Sequence, residues 1–206
     1  AAGRLAMAQG DYGRARVLNE ESLVLWRDLK DTPGIASMLN CLGLIAAYQS
    51  DFGRAVPLYE ESLALRRGLG DKQGMATTLN NLGLAAYGRA DHSQATIFHE
   101  ESLALRRELG SKLGIAMSLH NLGLMAQGQG KYRRSTALLQ EGLALQREVE
   151  DKQGSARSIS NLGVTAFYLG DLAQAATLQE ESQALQRELG DRRGTAFSLN
   201  HLGEVV

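Results

Sequence analysis

The residues of this chain that could do chemistry are few in kind, and most of them recur. Glu-Glu pairs stand at Glu20-Glu21, Glu60-Glu61, Glu100-Glu101 and Glu180-Glu181, and neighbouring carboxylates are standard equipment for general acid–base catalysis. They return, however, at a forty-residue step. A catalytic centre is built once, not in nearly every repeat, so the pairs read as solvated faces and hairpin contacts. His92 and His99 are spaced to share a helix face, but no cysteine or third histidine is near enough to complete a metal site; they read as surface histidines. Cys41, the only cysteine, has no base beside it to raise its thiolate fraction and reads as a small residue in a helix groove. There is no Gly-x-x-x-x-Gly-Lys-Ser/Thr phosphate loop, and the glycines follow the same forty-residue step. No cofactor, no metal and no enzymatic activity are expected.

Asparagines offer a different chemistry. Asn40, Asn80, Asn81, Asn121 and Asn161, with His120 among them, supply donors and acceptors together, which is what an extended peptide backbone asks of a surface. Asn at this register can equally bridge adjacent helices, and the residues alone leave both readings open.

These residues must be positioned by a repeated element. Leu79-Asn80-Asn81-Leu82-Gly83 returns as Leu39-Asn40-Cys41-Leu42-Gly43, Leu119-His120-Asn121-Leu122-Gly123, Ile159-Ser160-Asn161-Leu162-Gly163 and Leu199-Asn200-His201-Leu202-Gly203. In the best example, Ala76, Leu79, Leu82, Gly83 and Ala86 form the packed stripe of a first helix over about 73–89. Ala95, Phe98, Ser102, Leu105 and Leu109 form that of a second over about 92–109. Gly10-Asp11, Ser50-Asp51, Ala90-Asp91 and Gly170-Asp171 end one helix with a small residue and cap the next with Asp; Gly130-Lys131 lacks the cap. Pro57, early in a second helix, removes one backbone donor. The helical glycines Gly43, Gly83, Gly123, Gly163 and Gly203 cost roughly 0.5–1 kcal/mol each against Ala. Close helix approach compensates, with Ala15, Ala55, Ala95, Ser135 and Ala175 expected opposite them. Trp26, Arg66, Arg106, Gln146 and Gln186 share a slot that reads as exposed.

Leu82-Gly83 on the first helix, Ala95 twelve residues on and Ser102 seven further resemble the tetratricopeptide repeat, over the whole chain. The forty-residue step exceeds that family's usual period of about 34. It resembles the long-helix version in kinesin light chains, LGN-type adaptors and the tetratricopeptide domains of bacterial regulators and STAND-type ATPases. The resemblance implies an all-α, right-handed superhelical solenoid of antiparallel helix hairpins. One domain is expected over 1–206, in units at about 1–30, 33–70, 73–110, 113–150 and 153–190 with a partial sixth at 193–206. The chain begins and ends inside a repeat, so it is expected to be a segment of a longer protein whose uncapped ends can self-associate.

The resemblance also implies that the first helices line a concave groove. Its peptide-binding residues would be Asn40, Thr77, Asn80, Asn81, Tyr87, His120, Asn121, Arg157, Asn161 and Phe167. Thr77, Met117, Arg157 and Phe197 differ completely at one register while the frame stays constant, as an encoded specificity would, although drift on a solvated face has the same look. Arg157 and Asn161 match the first pair of a carboxylate clamp; His201 stands where the next Asn is wanted, so a complete clamp is not expected. The expected function is a non-enzymatic scaffold that captures a protein or peptide segment. The alternative is a ligand- or peptide-sensing domain of a bacterial transcription regulator or STAND-type ATPase.

Charge excludes other partners. Lys plus Arg (22) balances Asp plus Glu (23), leaving no broad positive field for nucleic acid or an anionic membrane. No apolar run approaches the roughly 20 residues of a membrane helix, and Ala1-Ala2-Gly3-Arg4 opens no signal peptide. A lone cysteine excludes an internal disulfide, and a cytoplasmic setting is expected. Arginine (17) outnumbers lysine (5), a pattern common in bacteria.

Overall fold

The computed structural model describes residues 2–205, and among these the chain forms eleven α-helices and no strand. The first helices of the repeats are α1 (Ala2–Ala8), α3 (Thr32–Tyr48), α5 (Lys72–Gly88), α7 (Lys112–Gly128), α9 (Lys152–Tyr168) and α11 (Arg192–Val205). The second helices are α2 (Tyr12–Asp28), α4 (Phe52–Leu69), α6 (His92–Glu108), α8 (Tyr132–Glu148) and α10 (Leu172–Glu188). The expected bounds of 73–89 and 92–109 are met to within one residue by α5 and α6.

Short turns set these bounds. Gly10, Ser50, Ala90, Gly130 and Gly170 close the hairpins, and Lys30, Gly70, Gly110, Glu150 and Gly190 close the links to the next repeat, all at positive φ. The left-handed conformation costs a residue with a Cβ roughly 1–2 kcal/mol, so Ser50, Ala90, Lys30 and Glu150 carry strain that the glycines avoid. The next residue then caps the new helix. Asp11 accepts from Arg14 N–H at 2.9 Å, Asp51 from Arg54 at 3.1 Å, Asp91 from Gln94 and Asp171 from Gln174 at 3.0 Å. Lys131 makes no such bond, as its sequence foretells.

The first-helix stripe is buried throughout: Ala76, Leu79, Leu82, Gly83 and Ala86, and their counterparts in α3, α7 and α9. The second-helix stripe is corrected. Ala95 and Ser102 are fully buried, but Phe98 and Leu105 are only half-buried and Leu109 is exposed beyond the end of α6. The inner face also takes His99, Leu103 and Arg106.

The helical glycines are corrected in the same way. Ala15, Ala55, Ala95, Ser135 and Ala175 are all buried, but the side chain over Gly43, Gly83, Gly123 and Gly163 comes four residues after the small one. A Cβ on Gly43 would meet the Tyr59 ring at 2.7 Å, on Gly83 the His99 ring at 2.6 Å, on Gly123 Leu139 Cγ at 2.7 Å and on Gly163 Gln179 Nε2 at 2.8 Å. His99 is therefore a core residue, not a surface histidine. The slot of Trp26, Arg66, Arg106, Gln146 and Gln186 is exposed only at Trp26. The last four are buried, and all five lie against a second glycine series near the start of the following first helix, Gly34, Gly74, Gly114, Gly154 and Gly194.

The serine of Glu-Glu-Ser fastens the two layers. Ser62, Ser102 and Ser182 donate to the carbonyls of Ala36, Ala76 and Ala156 at 2.7, 2.8 and 2.8 Å. The adjoining glutamates meet arginines of the preceding second helix: Arg27–Glu61 (3.3 Å), Arg67–Glu101 (2.8 Å), Arg107–Glu141 (2.9 Å) and Arg147–Glu181 (3.1 Å). All eight side chains are roughly half exposed, so each pair contributes under about 1 kcal/mol. The chain groups into two compact units, one ending at Leu105 and one beginning at Arg106.

Candidate binding face of the first helices

In the N-terminal unit, α3 and α5 are tied by amides. Asn40 Oδ1 accepts from Asn81 Nδ2 at 3.1 Å and from Thr78 Oγ1 at 3.3 Å. This pair bridges helices, one of the two roles its register allows. Asn80 is 7% exposed and turned into the packing: at about 100° per residue, two consecutive asparagines cannot share a face. Among the expected contact residues it is the one with least surface to offer. Thr77 is half-buried and bonds back to the Gln73 carbonyl at 3.1 Å. Tyr87 is exposed and lies 5.4 Å from the His92 ring. Tyr48, also exposed, stacks on Tyr12 with ring centroids 5.6 Å apart.

In the C-terminal unit, the half-buried His120 faces Ser158, with Nδ1 at 3.1 Å from Oγ. Burial, and secondarily the Arg157 cation, pushes its imidazole down to about 4, so the ring is neutral near pH 7. Asn161 Nδ2 donates to the Arg157 carbonyl at 3.0 Å. Asn121 and Phe167 are half-buried, and Phe167 packs edge-on against Tyr168, which stacks on Tyr132 at 4.9 Å. Gln127 crosses from α7 to α9, donating to Thr165 Oγ1 at 3.1 Å. Arg157 is exposed. At its register Met117 on α7 is 45% exposed and Phe197 on α11 is 48% exposed. His201, in the place of a clamp asparagine, packs edge-on against Phe197 at 4.5 Å. Within the C-terminal unit the structure brings His120 near the Arg157 cation and ties Asn161 back to the Arg157 carbonyl; within the N-terminal unit Asn80 is buried.

One signal is legible in the sequence only once the helices are assigned. Of the 23 Asp and Glu residues, none lies in α3, α5, α7 or α9, whereas every second helix carries at least two. The near-zero net charge conceals this segregation. Those four helices present amides, apolar side chains and cations, and no carboxylate. Among the described residues no group of three or more His, Cys, Asp or Glu is placed to hold a metal, and no helix is long and apolar enough to cross a membrane.

Comparison with known proteins agrees with this architecture. The tetratricopeptide repeat model matches residues 1–68, 34–108, 74–148 and 114–188. No curated protein matches the chain. Among solved structures, the chain is similar to BtubC (BKLC) from P. vanneervenii, at 20% identity and a TM-score of 0.81 over 94% of this chain and 82% of that one. It is similar to a STAND protein with a tetratricopeptide repeat sensor from Pyrococcus horikoshii, at 13% identity and a TM-score of 0.87 over 98% of this chain and 31% of that one. A third is the Rap conjugation gene regulator of plasmid pLS20 in complex with the Phr* peptide, at 16% identity and a TM-score of 0.81 over 98% of this chain and 56% of that one. At these identities the likeness establishes the fold alone, a solenoid of helix hairpins. The chain belongs to the tetratricopeptide repeat family.

Proposed function

We propose that this chain is a non-enzymatic interaction module that captures an extended protein or peptide segment on the exposed face of its first helices. The observation that carries the reading is the register of Met117, Arg157 and Phe197. These three side chains are exposed and unlike one another, on a frame whose buried positions scarcely change. Two large apolar groups left in water on either side of a cation suit a partner that offers apolar side chains and an acidic group. The absence of carboxylates from α3, α5, α7 and α9 favours the same partner. The Rap regulator solved with the Phr* peptide supports a peptide as the class of ligand on this fold.

The test is selection of peptides from a random library against the chain. Selected peptides should carry an acidic residue near apolar ones. Their affinity should fall roughly ten-fold or more for a variant with Met117→Ser, Arg157→Ser and Phe197→Ser that melts at the parent temperature. Selected peptides that bind parent and variant alike would contradict the assignment of this face.

A further inference from the structure

The N-terminal unit holds a cavity of about 220 Å³ opening beside α3 and α5. Its surroundings are apolar. Tyr59 lines it, seated on Gly43 and 1% exposed; Phe52 lies alongside, over Gly88; Leu84, 46% exposed, forms a wall. Tyr48 forms the facing wall, and its stack on Tyr12 holds the ring in place. Apart from the phenols of Tyr48 and Tyr59, one polar side chain lines the cavity, Asn81. Its Nδ2 donates one of its two N–H groups to Asn40, so its amide still offers the second N–H and the Oδ1 acceptor. No ionisable group other than the phenols of Tyr48 and Tyr59 is among the lining residues, and burial pushes the Tyr59 hydroxyl above the usual phenol range.

The volume decides what can enter. Sites for free cofactors and drug-sized ligands run at roughly 300–1,000 Å³, and this one is smaller. It is an apolar cavity beside a single backbone-type acceptor, suited to one side chain with its own N–H next to it.

In the C-terminal unit a side chain crosses the equivalent place. The equivalent of Ala47, another lining residue, is Gln127, whose side chain crosses to the Asn161 carbonyl and to Thr165 Oγ1. In the N-terminal unit Ala47 has no atoms to make that crossing, and Ala85 stands where Thr165 does. The exchange at Ala47 removes side chain from the lining of this cavity.

Resting on the reading of the first-helix face as a peptide-binding surface, we infer that this cavity is a specificity pocket. It takes one bulky apolar side chain of the captured segment, a leucine, methionine or phenylalanine, while the segment's backbone N–H donates to Asn81 Oδ1. The pocket would fix the register of the segment on α3 and α5.

The experiment uses the whole chain, peptides selected on it from a random library, and the variant Ala47→Gln, which introduces the side chain that crosses the equivalent place. Each apolar residue of the best peptide is replaced by serine in turn, and Kd is measured by fluorescence anisotropy. The expected result is a single apolar position whose replacement weakens binding to the parent chain roughly ten- to a hundred-fold, yet hardly changes binding to Ala47→Gln, which already binds the unaltered peptide that much more weakly. Leu84→Ser, on the exposed wall, should show the same coupling and guards against a folding defect in the first variant. Peptides that bind the parent with no apolar position coupled to Ala47→Gln or Leu84→Ser would overturn the pocket and leave the general reading standing. Failure to select any peptide would overturn both.

Discussion

Gly123 and Leu139 show how a residue-scale contact governs the repeat. A Cβ on Gly123 would lie 2.7 Å from Leu139 Cγ, and Leu139 has no exposed surface into which to retreat. Gly123→Ala is therefore expected to destabilise the fold by about 1–3 kcal/mol. Gly203 occupies the same repeat position but has nothing within 4 Å of its Cβ site, so Gly203→Ala should be neutral or gain up to about 1 kcal/mol of helix propensity. Thermal unfolding of the two variants checks this, and equal melting temperatures would remove the packing role of the glycine. That these glycines admit a close neighbour was legible in the sequence; which neighbour was not. Tyr59, His99, Leu139 and Gln179 share no chemistry, so their common place left no periodic signal, while the invariant small residues four positions earlier did. The burial of Asn80 was hidden for a related reason: only the phase of the helix separates it from Asn81.

At the scale of the element, the turns and caps were the most legible part. A positive-φ residue followed by Asp recurs at fixed spacing, and the side chain reaches the third residue of the helix in repeat after repeat. Lys131 at the start of α8 is the departure, with no side-chain cap bond. Lys131→Asp should let the carboxylate accept from the Arg134 N–H as Asp11 accepts from Arg14. It also places negative charge at the positive end of the helix dipole. The expected gain is about 0.5–2 kcal/mol, or roughly 2–4 °C in Tm for each kcal/mol in a chain of this size. A variant no more stable than the parent would show that α8 is held by packing alone. The arginine–glutamate ladder was harder to read. Its partners are 34 residues apart, six short of the repeat, because each arginine reaches into the following repeat rather than along its own helix. The two residue types were visible in the sequence, but their pairing was not.

For the molecule as a whole, the division of labour between helices matters more than net charge. The second helices and the caps hold the carboxylates and exchange them with arginines, whereas α3, α5, α7 and α9 present amides, apolar groups and a few cations. The family and its hairpin architecture were legible from the forty-residue step, because the packed stripe repeats in kind as well as in spacing. The pocket beside Ala47 was not, because small lining residues such as Ala47 and Ala85 carry no positive signal. The measurement that tests the central claim most directly is hydroxyl-radical footprinting of the chain with and without a library-selected peptide. Peptide capture by the first helices predicts protection of Met117, Tyr168 and Phe197 while Ile97, exposed on α6, is modified as before. Protection of Ile97 with Met117 and Phe197 unchanged would place the partner on the second helices and contradict the account.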